Sequence, residues 1–128
     1  MASAPDRIRV LVVDDEPTLL DLLQTLLDLA NYDVVEARNG EEALTAVAAS
    51  RPDVMVLDIN MPRMDGFAVL AALAEAPPPK MPRVLVLTAR YAADDVRRAK
   101  ALGAADYLSK PFSNKTLLTR IQRLATPA

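Results

Sequence analysis

Residues 54–66 have the sequence VMVLDINMPRMDG. Four apolar residues, Val54 to Leu57, precede the acidic residue Asp58, and a loop containing Pro62 and Gly66 follows. A short apolar run that is bounded by polar and turn-forming residues is typical of a strand buried on both faces. The stretch therefore predicts an inner strand of a parallel sheet with a carboxylate at its carboxyl end.

Three further apolar runs end in residues with acidic, hydroxyl or amino side chains. The residues at these ends are Asp14 and Asp15, Thr88, and Ser109 with Lys110. The carboxyl ends of parallel strands lie on one edge of a sheet. We therefore expect these side chains and Asp58 to meet in a single pocket.

The order strand then helix recurs five times along the chain. The predicted strands cover residues 8–13, 33–37, 53–57, 83–88 and 105–108, and a helical pattern of apolar residues follows each of them. Such alternation predicts an α/β fold, with a parallel sheet covered on both faces and right-handed crossovers.

Length and composition suit one domain with an aliphatic core. The chain has 128 residues, of which 52% are hydrophobic and 4% are aromatic. We predict a single domain over residues 8–125. A flexible segment at 1–7 is expected to precede it, and a C-terminal tail or the start of a linker is expected at 126–128.

Several classes of chemistry are excluded by the residues that the chain lacks. It contains no Cys and no His, which excludes thiolate catalysis, Cys-based zinc sites and imidazole bases. A net charge of -2 offers no basic field to a nucleic-acid backbone, so we expect no direct nucleic-acid binding. No apolar stretch approaches about 20 residues, so we expect no membrane span and a cytoplasmic location.

The predicted meeting of three carboxylates indicates a metal ion. Like charges at one sheet edge repel each other, and each carboxylate resists ionisation unless a cation balances them. Oxygen ligands with room for water suit Mg²⁺ better than a fully caged Ca²⁺. Taken singly, the residues have simpler interpretations, since the acids can cap helices, Lys110 can be a surface lysine and Thr88 an ordinary strand residue.

Together, the expected groups have the chemistry of phosphoryl transfer to an aspartate. A carboxylate can act as the nucleophile, while a divalent cation and a lysine neutralise the charge that develops on the phosphoryl oxygens. A hydroxyl group can donate a hydrogen bond to one of those oxygens.

The ordered set of motifs resembles the receiver domain of two-component response regulators. The matching segments are Asp14-Asp15, Asp58, Met61-Pro62-Arg63-Met64-Asp65-Gly66, Thr88 and Lys110-Pro111-Phe112. The resemblance covers about residues 8 to 125. It implies a single doubly wound (βα)5 domain of the flavodoxin-like type, with a five-stranded parallel sheet in the order 2-1-3-4-5.

The resemblance assigns a role to each acidic residue. Asp58 matches the aspartate that accepts a phosphoryl group from the phosphohistidine of a sensor histidine kinase or a histidine phosphotransfer protein. Asp15 matches a direct ligand of Mg²⁺, for which Mn²⁺ is an alternative, and Asp14 matches a residue that holds the ion largely through water. Asn60 matches a residue that offers its backbone carbonyl to the metal.

Further positions match the phosphoryl-binding and switch residues of the family. Lys110 would pair with the phosphoryl group or with Asp58, and Ala89 would offer its backbone N–H to a phosphoryl oxygen. Thr88 and Tyr107 resemble a switch pair whose movement changes the surface of the fourth helix, fifth strand and fifth helix. The resemblance therefore implies that phosphorylation shifts a population between two states of that surface.

The implied output is an effector protein or an output domain that contacts this surface. The resemblance leaves open whether phosphorylation produces a homodimer. In favour of a dimer, Asp106 and Arg120 match positions that pair in one subclass of the family. Ala105 and Thr116 depart from the acidic residues usual in that subclass.

Two other functions compete with the signalling interpretation. A haloacid-dehalogenase-like phosphatase also uses an aspartate nucleophile with Mg²⁺, but it needs a second aspartate where this chain has Asn60, whose amide cannot exchange a proton usefully. The other is a receiver-like interaction module that is never phosphorylated, although such domains lose residues that are retained here. We therefore expect a phosphoacceptor signalling domain rather than an enzyme with external substrates.

Overall fold

The computed structural model describes residues 7–126. Its five strands form one parallel sheet in the order β2-β1-β3-β4-β5, which confirms the predicted fold. The strands are β1 Arg9–Val13, β2 Asp33–Ala37, β3 Val54–Leu57, β4 Arg83–Thr88 and β5 Asp106–Ser109. The helices are α1 Pro17–Leu29, α2 Gly40–Ser50, α3 Gly66–Glu75, α4 Ala93–Ala101 and α5 Asn114–Ala125.

Side chains of the inner strands alternate between two apolar layers. Leu11 and Val13 of β1 belong to the layer under α2, α3 and α4. Val10 and Val12 belong to the opposite layer, under α1 and α5. Because both faces are covered, β1 and β3 are apolar almost throughout, as the sequence predicted.

The strand bounds differ from the predicted ones by one residue, for identifiable reasons. β3 begins at Val54 because the Asp53 carboxylate accepts the Arg9 backbone N–H at 2.8 Å, beyond the end of the β1–β3 ladder. β5 ends at Ser109, which pairs with Thr88 and extends the β4–β5 ladder beyond residue 108.

Helix ends follow the local sequence. The Asn39 and Asp65 side chains cap α2 and α3 by accepting the backbone N–H of Glu42 and Ala68, each at 2.8 Å. The α1 helix ends at Leu29. Asn31 has a φ of 74°, a left-handed conformation that a helix cannot continue through.

The predicted terminal segments, 1–7 and 126–128, lie outside the described residues apart from Arg7 and Thr126. Within the described residues, none of the helices has the length and apolar character needed to cross a bilayer.

Candidate functional site

Three carboxylates meet at the carboxyl edge of the sheet, as predicted. Asp14 and Asp15 follow β1 and Asp58 follows β3, and these strands are neighbours in the sheet. One oxygen from each carboxylate lies within 4.8 Å of the others. Asp14 and Asp58 are buried, with 3% and 6% of their surface exposed, whereas Asp15 is exposed and forms the solvent side of the cluster.

Backbone hydrogen bonds hold the two buried acids in place. The Asp14 N–H donates to the Ala37 carbonyl of β2, and the Asp58 N–H donates to the Val13 carbonyl of β1, at 3.1 and 3.0 Å. The capping interpretation of Asp14 and Asp15 is wrong, because the residue at the N-cap of α1 is Glu16 and its side chain makes no capping bond. Asp14 Oδ1 instead accepts the Glu16 N–H at 3.0 Å, in the turn before the helix.

Lys110 is part of the cluster and not a free surface lysine. Its Nζ lies 2.8 Å from Asp14 Oδ2 and 3.5 Å from Asp58 Oδ2. The Lys110 N–H donates to the Thr88 carbonyl at 2.9 Å, which ties the end of β5 to the end of β4. The Lys110–Pro111 peptide bond is cis.

The electrostatics of the cluster favour a bound cation. Burial raises the pKa of the Asp58 carboxyl, although the adjacent Thr88 hydroxyl and the Lys110 ammonium group lower it and the Asp14 charge raises it. Burial alone would lower the pKa of Lys110, but its hydrogen bond to Asp14 and the two negative charges raise it overall. The Lys110 ammonium group pairs with two of the three carboxylates. The cluster therefore keeps a negative charge, and its all-oxygen donor set fits a hard divalent cation.

Of the remaining predicted residues, Thr88, Ala89 and Asn60 lie at the same edge, whereas Tyr107 lies two residues before the end of β5. Thr88 is fully buried at the end of β4, and its Oγ1 accepts the Arg90 N–H at 3.2 Å. Tyr107 is buried, and its hydroxyl donates a hydrogen bond to the Arg90 carbonyl. Ala89 directly follows Thr88, and Asn60 lies two residues after Asp58; both residues are exposed.

Gly66 has a role that the sequence analysis did not identify. A Cβ at this position would lie 2.5 Å from the Asp58 carbonyl oxygen and 2.8 Å from the Ile59 Cα. The Gly66 N–H also donates to the Ile59 carbonyl at 2.9 Å. Glycine therefore allows α3 to begin directly against the segment that carries Asp58. The position of Gly66 in the Met64-Asp65-Gly66 motif is the feature of the sequence that could have indicated this role.

The strand order and the acidic edge define a class of doubly wound α/β domain with a metal-competent carboxylate site. A sequence model of the family described as "Response regulator receiver domain" matches residues 10–122. The chain belongs to this family, and the resemblance drawn from its motifs is confirmed.

Known proteins agree with this assignment. The chain is 39% identical over 116 residues to the alkaline phosphatase synthesis transcriptional regulatory protein PhoP of Bacillus subtilis (strain 168), covering 91% of this chain and 48% of PhoP. It is 45% identical over 116 residues to the transcriptional regulatory protein PrrA of Mycobacterium tuberculosis (strain ATCC 25618 / H37Rv), covering 91% of this chain and 49% of PrrA. The crystallised chemotaxis protein CheY4 of Vibrio cholerae superposes with a TM-score of 0.86 at 36% identity, covering 92% of this chain and 98% of CheY4.

The chain spans about half the length of the curated relatives it matches. The family match and the similar proteins show that the chain is a receiver domain of two-component signalling. Neither the phosphatase nor the non-phosphorylated module gains support from the comparisons.

Proposed function

We propose that Asp58 accepts a phosphoryl group from a phosphohistidine and that this modification switches the output of the protein. The observation that carries the proposal is the buried Asp58 carboxylate, which lies among two further acids and 3.5 Å from the Lys110 ammonium group. A nucleophile, a charge-neutralising group and candidate metal ligands are thus brought to one edge of the sheet. The chain has no histidine, so the donor has to be another protein or a small phosphodonor.

In the proposed transfer, Asp58 is the nucleophile and nearby groups of the chain stabilise the phosphoryl group. A carboxylate oxygen of Asp58 attacks phosphorus, the N–P bond of the phosphohistidine breaks, and its electron pair returns to the imidazole nitrogen of the donor. Lys110 neutralises charge on the phosphoryl oxygens, and Thr88 and the Ala89 N–H donate hydrogen bonds to them. The raised pKa of Asp58 reflects its burial, and a nearby cation favours its nucleophilic carboxylate form.

The metal ligands are proposed to be Asp14, Asp15, Asp58 and the backbone carbonyl of Asn60. Mg²⁺ is the expected ion, with Mn²⁺ as a substitute, because the donors are all oxygen and Asp15 leaves one side open to water. When bound, the ion supplies positive charge that lowers the repulsion between the acids and the incoming phosphoryl group.

The proposed partners follow from the chemistry of the donor and from the relatives. A sensor histidine kinase or a histidine phosphotransfer protein supplies the phosphoryl group, and the α4-β5-α5 surface controls an output domain or effector. PhoP and PrrA are named as transcriptional regulatory proteins, which supports an output in gene regulation. We place this activity in the cytoplasm, with no nucleic-acid binding by the receiver itself, since its net charge is -2.

Dimer formation on phosphorylation remains a secondary proposal. Arg120 Nη1 lies 3.0 Å from both carboxylate oxygens of Asp106 within one chain. These are two of the positions that would have to pair between chains, so such a dimer requires the internal ion pair to exchange partners.

Intact-mass measurement after incubation with Mg²⁺ and acetyl phosphate tests the proposed acceptor. We expect one added phosphoryl group on the wild-type chain and none on Asp58→Ala. Asp94→Asn is the matched control, because this carboxylate is 89% exposed on α4, and it should be labelled like the wild type. Labelling of Asp58→Ala, or turnover of many acetyl phosphate molecules by a chain that gains no mass, would contradict the proposal.

Calorimetric titration tests the proposed metal ligands separately. Mg²⁺ and Mn²⁺ should each bind one site in the wild-type chain, and Asp15→Asn should weaken binding of both by about 10-fold or more, as expected for loss of a charged ligand. Equal affinity in the variant and the wild type would remove Asp15 from the site.

A further inference from the structure

Arg90 is a centre of contacts in the loop between β4 and α4. Its backbone N–H donates to Thr88 Oγ1 at 3.2 Å, and its carbonyl accepts a hydrogen bond from the Tyr107 hydroxyl. Its side chain has two further partners. Arg90 Nε lies 2.9 Å from Asp95 Oδ1, and the guanidinium carbon lies 5.4 Å from the centre of the Phe67 ring.

Phe67 provides a rigid support for this side chain. The ring is 1% exposed and belongs to the first turn of α3, directly after Gly66. The guanidinium carbon of Arg98, on α4, lies 4.1 Å from the centre of the same ring. Two arginine guanidinium groups, one from the β4–α4 loop and one from α4, therefore lie over the same aromatic ring, and cation–π attraction stabilises such contacts.

The ion pair with Asp95 gives the Arg90 side chain a second support. We call the contacts of this side chain with Phe67 and Asp95 the anchor. The Asp95 side chain is 14% exposed, so its ion pair with Arg90 is better shielded from solvent than the pair between Arg97 and Asp94 on the same helix. The Arg90 side chain is thus held from α3 and from α4, while its backbone holds the two switch residues, Thr88 and Tyr107.

We propose that the Arg90 side chain is a positioning residue for phosphoryl transfer to Asp58. This inference rests on the proposed function. The anchored side chain fixes the loop backbone so that the Thr88 hydroxyl stays beside Asp58 and Tyr107 stays in its buried position. Without the anchor, the loop occupies several conformations, and the rate of transfer falls with the fraction of molecules that present Thr88 correctly.

Replacement of the side chain leaves the backbone groups of Arg90 in place. For Arg90→Met, we expect the rate constant for phosphorylation by saturating acetyl phosphate to fall about 3- to 10-fold, since one ion pair and one cation–π contact are lost. The half-saturating donor concentration and the Mg²⁺ affinity should not change, and Arg90→Lys should recover part of the rate. Arg97→Met is the matched control, because Arg97 is 71% exposed and pairs with Asp94 of its own helix.

A double-mutant cycle separates positioning from general loss of stability. Phe67→Leu should slow the reaction by less than Arg90→Met, because the ion pair with Asp95 still holds Arg90. The double variant should be no slower than Arg90→Met alone, because Phe67 acts on the loop through Arg90. Wild-type rates in Arg90→Met, additive losses in the double variant, or an equal loss in Arg97→Met would each overturn the proposal.

Tyrosine fluorescence tests the same anchor without any phosphodonor. The chain has three tyrosines and no Trp, so Tyr32→Phe with Tyr91→Phe leaves Tyr107 as the reporter. Adding Arg90→Met should increase quenching of Tyr107 by acrylamide, whereas Arg97→Met should not. Unchanged quenching would overturn the role of Arg90 whatever the phosphorylation result, while a wild-type chain that gains no phosphoryl group would overturn the proposed function alone.

Discussion

Replacement of Gly66 by alanine is expected to destabilise the protein and to slow phosphorylation. The added Cβ would lie 2.5 Å from the Asp58 carbonyl oxygen and 2.8 Å from the Ile59 Cα, where ordinary contact begins at 3.4 Å. Both neighbours are backbone atoms, so the start of α3 and the end of β3 have to separate by up to about 0.9 Å.

The magnitude follows from two opposing effects. Forced backbone shifts in a packed region typically cost about 1–3 kcal/mol, and closer contacts cost more. Alanine recovers up to about 1 kcal/mol over glycine in a helix, and less in its first turn. We therefore expect the free energy of unfolding to fall by about 1–3 kcal/mol.

Urea unfolding followed by circular dichroism measures this change, and Gly40→Ala is the matched control. Gly40 is the first residue of α2, as Gly66 is of α3, and its added Cβ would meet the Met64 side chain at 2.5 Å. Rotation can move the Met64 Cγ and Sδ away, but its Cβ, at 2.8 Å, moves only with its own backbone. We therefore expect the control to lose stability too, but less than Gly66→Ala, whose two nearest contacts are backbone atoms. Wild-type stability in Gly66→Ala, or an equal loss in Gly40→Ala, would refute this reasoning.

Three further outcomes can be measured by chemical unfolding. Burial raises the pKa of Asp58, so in metal-free buffer the wild-type chain should be most stable relative to Asp58→Asn below about pH 3.9. This advantage should be lost as the pH rises through the folded-state pKa, and a difference that does not vary with pH would contradict it. Burial would raise the pKa of Asp53, but the hydrogen bond from Lys80 and other interactions lower it overall. Asp53→Asn should therefore lower the free energy of unfolding by about 0.5–1 kcal/mol at pH 7, and this difference should disappear as the pH falls below about 4. Leu117→Ala should cost about 2–5 kcal/mol because Leu117 is fully buried, whereas Leu29→Ala, at an 81% exposed position, should cost less than about 0.5 kcal/mol.

The fold could be predicted because its signals are local and repeated. Each inner strand is a continuous apolar run, and turn-forming or capping residues such as Asn39 and Asp65 mark where helices begin. The predicted strand ends differ from the observed ones by one residue, since the hydrogen bonds of Asp53 and the pairing of Ser109 depend on neighbouring strands.

The candidate site could be predicted in its members but not in its contacts. Parallel strands bring their carboxyl ends together, so Asp14, Asp58 and Lys110 were expected at one edge. The sequence could not show that Lys110 lies closer to Asp14 than to Asp58, at 2.8 against 3.5 Å. It also gave no sign that Arg90 contacts Phe67.

Residue types and their spacing along the chain are enough to establish the α/β alternation, the acidic edge and the chemistry open to a chain without His or Cys. These properties depend on residue type and on short-range spacing, which a sequence states directly. The contact of Gly66 with the Asp58 backbone, and those of Arg90 with Thr88, Tyr107 and Phe67, are visible only in the folded chain. Such contacts join residues distant in the chain, and they depend on how α3 and α4 pack against the sheet within a few tenths of an ångström.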